Sequence, residues 1–184
     1  FLHSLPKEVV VVLDEAYNEY IPAAEHVDTT PWVNEFPNLV LTRTFSKIYG
    51  LAGLRVGYAL ASAEVADLMN RIRQPFNCNN LALAAATAAL GDHEFLARSH
   101  DSNRVGMAQI VDGVKRLGLD HIPSLGNFVC IKPGDAAAVN QKLLKQGVIV
   151  RPIAGYGLPD WLRVTIGNEV ENQRFLEALE VALG

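Results

Sequence analysis

Thiols are scarce in this chain: of 184 residues only Cys78 and Cys130 are cysteine. Two cysteines in different predicted elements cannot build a disulfide framework or a metal-ligand spacing, so reduced thiols are expected. Cys130, inside Phe128-Val129-Cys130-Ile131, reads as a core strand residue. His3, His26, His93, His100 and His121 fall in predicted loops and helix ends, and no pair has zinc spacing. Positive charge is also short. Lys and Arg number 16 against 20 Asp and Glu, for a net charge of −4. Long basic clusters are missing, which argues against nucleic acid or an acidic membrane surface as partner. No apolar run approaches the ~20 residues needed to cross a bilayer, and no signal peptide is visible. The expectation is a cytoplasmic protein with no membrane and no nucleic-acid partner. Internal repeats and low-complexity tracts are absent too.

Apolar residues are plentiful, at 49%, enough for a sizeable core. Val9-Val10-Val11-Val12-Leu13 is a β-branched run that predicts a strand buried on both faces. Further strands are expected at 38–43 and 55–61, with a short helix near 30–35. Val65, Leu68, Met69 and Ile72 recur at helical spacing over 63–73, and Pro75 stops that helix. Asn79-Asn80 can cap an alanine-rich helix to about Leu90, and an amphipathic helix from about Asp92 to Leu117 reads as a bridge between domains. Strands at 127–132, 148–152 and 162–166 then alternate with helices at 135–146 and 169–183. The whole is an α/β chain with domains at 1–91 and 92–184.

One stretch carries chemistry. In Thr44-Phe45-Ser46-Lys47 a strand delivers an amine with hydroxyls one and three residues before it, and Arg55 follows eight residues later. Such a lysine can form a Schiff base while its neighbours grip a phosphate dianion. A surface lysine beside a helix start would carry the same hydroxyls as caps. The β-branched run ends in Asp14, Glu15, Tyr17 and Glu19, and in open parallel sheets ligands meet the chain beyond the carboxyl ends of strands. A loop carboxylate capping the next helix is the plainer reading of Asp14.

Together, Asp14-Glu15-Ala16-Tyr17, Thr44-Phe45-Ser46-Lys47 and Gly53-Leu54-Arg55-Val56-Gly57-Tyr58 resemble the fold-type I aminotransferases that use pyridoxal 5'-phosphate. Arg71-Gln74-Pro75-Phe76-Asn77 and the segments 147–152 and 161–167 extend the likeness, which is greatest to the histidinol-phosphate aminotransferase branch. The family's glycine-containing phosphate loop, ring-stacking aromatic and amino-terminal arm find no match. The resemblance therefore implies the carboxyl-terminal half of such an enzyme: part of the large mixed-sheet domain, then the small α/β domain.

It also implies roles. Lys47 would anchor the cofactor and serve as acid and base. Asp14 would hold the pyridine nitrogen in its charged form, Tyr17 would hydrogen-bond the ring oxygen, and Thr44, Ser46 and Arg55 would hold the phosphate. A backbone cap is the alternative reading of the Ser46 hydroxyl. Arg151 and Arg163 would bind substrate, receiving a phosphate in this branch and, at Arg163, a carboxylate in the wider superfamily. Strand alternation also allows Arg163 to be a surface residue. The implied reaction moves an amino group between histidinol phosphate and 2-oxoglutarate/glutamate in a homodimer. An aromatic amino-acid aminotransferase, or an inactive chain serving as scaffold or oligomerisation module, are the alternatives.

Overall fold

Apolar and β-branched side chains draw Val11–Asp14 (β1) and Leu39–Thr44 (β2) into parallel register, Val11 opposite Leu39 and Asp14 opposite Thr42. Parallel pairing requires a crossover; it runs through residues 15–38 and includes one helical turn, Trp32–Glu35 (α1). Gly57–Ala61 (β3) then returns antiparallel to β2, with Thr44 opposite Gly57. The computed structural model describes residues 1–184 and divides into two units, Phe1–Ala97 and Arg98–Gly184.

In the first unit β2 is central, and Leu39, Val40 and Leu41 are buried. The expectation of a strand at 9–13 buried on both faces is corrected. Val9 and Val10 precede the strand, and Val12 is 60% exposed. β1 is an edge strand with one pairing partner, so only alternate residues reach the interior. Ala63–Ile72 (α2) forms as the spacing predicts, with Ser62 as its cap, yet Leu68, Met69 and Ile72 are exposed. Asn80–Leu90 (α3) starts where Asn79 Oδ1 accepts the Ala82 N–H at 2.8 Å. A small cluster of Phe45, Val56, Ala82 and Ala86 packs beneath the turn after β2.

His93–Arg116 (α4) contains the limit between the units. The second unit orders its antiparallel sheet β4-β5-β7-β6 from Asp120–Ile122 (β4), Phe128–Lys132 (β5), Arg151–Pro152 (β6) and Leu162–Thr165 (β7). β4 has no signal in the sequence because it is three residues long and carries Asp120 and His121. β6 is shorter than expected: Pro152 has no N–H to give a ladder and sits at the sheet edge. Ala136–Lys145 (α5) and Glu169–Leu183 (α6) cover one face, the latter opened by a capping box between Asn168 and Glu171.

Val129, Ile131, Leu162 and Leu179 are fully buried in this core, each contributing about 1.5–3 kcal/mol. Alternation sends Cys130 to the other face, half-buried, so its reading as a core residue is corrected. Burial holds its thiol above the ordinary range, and the nearby Arg163 charge pulls the other way.

Candidate functional site

Parallel pairing of β1 with β2 sets two chain exits side by side. Asp14 closes β1; its Oδ1 accepts the Ala16 N–H at 3.0 Å, which turns the chain toward Tyr17. Thr44 closes β2, and its hydroxyl oxygen accepts the Ser46 N–H at 3.0 Å. The next residue, Lys47, heads a turn closed by Gly50 N–H on its carbonyl at 2.9 Å.

These two turns meet. Lys47 Nζ lies 5.2 Å from the centroid of the Tyr17 ring, within range of a cation–π contact. The lysine is half-buried, on a turn whose floor is Phe45, Ile48 and Val56. Phe45 packs in turn on the rings of Tyr49 at 4.9 Å and Tyr58 at 5.8 Å. An amine, a phenol, a carboxylate and two hydroxyls therefore share the carboxyl ends of adjacent strands, as expected of a ligand site in such a sheet.

Arg55 lies in the following turn, two residues before Gly57, the partner of Thr44. It holds a left-handed conformation, φ +54°, that non-glycine residues seldom adopt, and its Nη1 donates to Ala52 O at 2.9 Å. Such strain tends to accumulate at functional sites. Gly57 has no room for a side chain, since a Cβ would stand 2.6 Å from Arg43 O.

Sequence reasoning left Glu15, Thr29, Arg43 and Tyr58 without roles. Glu15 is buried, accepts the Thr29 hydroxyl, and takes Arg43 Nε at 2.8 Å. Burial alone would lower the Arg43 guanidinium, but hydrogen bonds to Glu15 and Tyr58 outweigh it and hold it above its ordinary range. Burial also raises the nearby Glu19 carboxyl, against a backbone hydrogen bond and the Arg43 charge. An arginine inside the apolar strand Leu39–Thr44 was the signal available.

Arg151 and Arg163 belong to the second unit, where they face each other across β6 and β7. Both lie opposite the apolar residues Leu162 and Val164. Arg163 is half-buried, its guanidinium carbon 5.0 Å from the Phe128 ring centroid, and its Nε–H is buried without an acceptor. Simple surface exposure does not describe it. Tyr156 and Phe76 are exposed.

Residues 2–179 match the family model for aminotransferase class I and II. Histidinol-phosphate aminotransferase 1 of Dechloromonas aromatica (strain RCB) is 76% identical over 183 residues, which cover 100% of this chain and 51% of that protein. Histidinol-phosphate aminotransferase 1 of Cupriavidus pinatubonensis is 59% identical over 187 residues, 100% of this chain and 50% of the relative. The chain thus spans about half the length of the curated relatives it matches. The crystal structure of histidinol-phosphate aminotransferase from Sinorhizobium meliloti in complex with pyridoxal-5'-phosphate superposes with a TM-score of 0.90 at 30% identity. That match covers 98% of this chain and 50% of the other. On the extent of the family match and these identities, the chain belongs to the aminotransferase class I and II family.

Proposed function

We propose that this chain supplies the anchoring lysine and substrate arginines of a pyridoxal 5'-phosphate-dependent aminotransferase that exchanges an amino group between histidinol phosphate and 2-oxoglutarate/glutamate. The observation that carries the reading is the approach of Lys47 Nζ to the Tyr17 ring where β1 and β2 end side by side. The donor set fits the cofactor: an amine for its aldehyde, a carboxylate for its pyridinium, a phenol for its ring oxygen, hydroxyls and a guanidinium for its phosphate. A relative's crystal structure, 30% identical to this chain, is described as a complex with that cofactor. Residues 1–91 would belong to the large cofactor domain and 92–184 to the small one, in a cytoplasmic homodimer.

When bound, the cofactor supplies an electron sink for the charge left at the substrate carbon. Asp14 would hold the ring nitrogen in its protonated form, its turn-closing bond from Ala16 occupying only Oδ1. Thr44, Ser46 and Arg55 would hold the phosphate through their hydroxyls and guanidinium. Lys47 Nζ would anchor the cofactor and, once displaced from it by the substrate amine, would serve as the base and acid that moves the substrate Cα proton. In the second unit, Arg163 offers a buried N–H with no acceptor, and Arg151 stands across the strand pair. Two guanidiniums suit a phosphate dianion better than a single carboxylate, which favours histidinol phosphate over an aromatic amino acid.

Borohydride reduction of the chain mixed with pyridoxal phosphate should leave an adduct on Lys47, identified by peptide mass spectrometry and absent from Lys47→Ala. A folded chain with no adduct there would favour the inactive-scaffold alternative. Calorimetry with histidinol phosphate against phenylalanine tests the substrate; tighter binding of phenylalanine would favour the aromatic alternative.

A further inference from the structure

Glu15 joins separate stretches of the first unit. Its Oε1 accepts the Thr29 hydroxyl, its Oε2 accepts Arg43 Nε at 2.8 Å, and its own N–H donates to Thr42 O at 2.9 Å. Arg43 stands opposite Tyr58, its register partner on β3. The Glu15 and Arg43 side chains are 6% and 17% exposed. A pair this desolvated gains little over an apolar pair of similar volume, so stability alone does not account for it.

Its placement in the sequence does. Glu15 follows Asp14 and precedes Tyr17, while Arg43 precedes Thr44 and stands four residues before Lys47. The ion pair therefore fastens the base of one site-bearing turn to the base of the other. Alternation points Arg43 to the opposite face of β2 from Thr44, so the pair acts through the backbone without touching the reacting atoms. We propose, resting on the functional reading above, that Glu15 and Arg43 are positioning residues whose buried ion pair holds the Tyr17 turn against the Lys47 turn.

The test compares the chain with Glu15→Gln, Arg43→Gln and the double variant Glu15→Met/Arg43→Met. Replacing both partners by apolar groups preserves folding where removing one leaves a buried charge unpaired. One readout is the share of borohydride-trapped pyridoxal phosphate found on Lys47 relative to the other lysines. The second, independent of any cofactor, is amide exchange in residues 15–21 and 44–50 against that in β2. In the folded double variant the Lys47 share should fall about tenfold, and both turns should exchange about tenfold faster together while Leu39, Val40 and Leu41 stay protected. A folded double variant with parental labelling and parental exchange in the turns overturns the inference. Should the parent itself carry no adduct on Lys47, the proposed function fails, and the exchange comparison alone decides the positioning role. The single variants, where they fold, should shift the same way; parental behaviour in either one counts against the pair.

Discussion

Lys47 Nζ stands 5.2 Å from the centroid of the Tyr17 ring, so the amine meets an aromatic face contributed by a different strand exit. Tyr17 then has two separable parts, ring and hydroxyl. Tyr17→Phe keeps the ring and should weaken retention of pyridoxal phosphate by about 2–10-fold, the loss of one net hydrogen bond. Tyr17→Ala removes the ring as well and should cost a further factor of about 2–5. Titrating the trapped Lys47 adduct against cofactor concentration measures both; equal losses in the two variants would show that the ring contributes nothing.

Arg163 separates binding from stability. Its buried Nε–H has no acceptor, a state that costs about 1–3 kcal/mol. Arg163→Met should therefore leave the chain as stable as the parent, or more so, in urea. The same change should weaken histidinol phosphate by about tenfold or more, since a charge-assisted hydrogen bond is worth about 1.5–3 kcal/mol. Histidinol, lacking the phosphate, should bind parent and variant alike by calorimetry. Arg163→Lys should recover little, because a lysine cannot present the planar fork. Equal loss for histidinol and its phosphate would refute the assignment.

The parts legible in the sequence are those where one short-range rule dominates. Asn79, Asp135 and Asn168 announce helix starts because a cap bonds a backbone only three residues away. Alternation placed Leu162 and Val164 inward, since register with a neighbour does not alter which face a residue takes. What escaped depended on long-range partners. Val12 looked buried, but burial of a strand face depends on what covers it. Cys130 looked apolar by company, while its facing was set by Val129 and Ile131 occupying the core. Glu15 meets Arg43 across 28 residues, a pairing no local pattern encodes. The candidate site residues of unit one could be picked out because a family resemblance marks the motifs at two strand ends, whereas no motif marks the Glu15–Arg43 pair.

Glu19 gives the first unit a pH signature. Burial raises its folded carboxyl above the ordinary value of 4.5. The native state then holds a proton that the unfolded chain has already released, over the interval from 4.5 up to the folded value. Stability contributed by this group is full below 4.5 and declines as pH rises through that interval. Glu19→Gln removes the ionisation, so the variant should gain on the parent as pH rises from 4 toward 7 in urea titrations run on the same buffers. A parent that instead gains on the variant over that range would reverse the sign and discard the assignment.

Gly57 should be intolerant of the smallest substitution, for a reason that also touches the site. A Cβ there would meet Arg43 O at 2.6 Å and Thr44 Cα at 3.4 Å, both backbone atoms that cannot swing aside. The residue pairs with Thr44, so relief would come from shifting β3 away from the strand end that delivers Lys47. Gly57→Ala should cost about 1–3 kcal/mol in urea unfolding and lower the yield of the Lys47 adduct. Gly53, four residues earlier in the Ala52–Leu54 turn, meets nothing within 4 Å and has no left-handed backbone. Gly53→Ala should be neutral or stabilise by about 0.4–1 kcal/mol, because it restricts only the unfolded chain. If both substitutions cost alike, the loss belongs to glycine's flexibility in this loop; if only Gly57→Ala does, it belongs to the tight approach of β3 to Arg43.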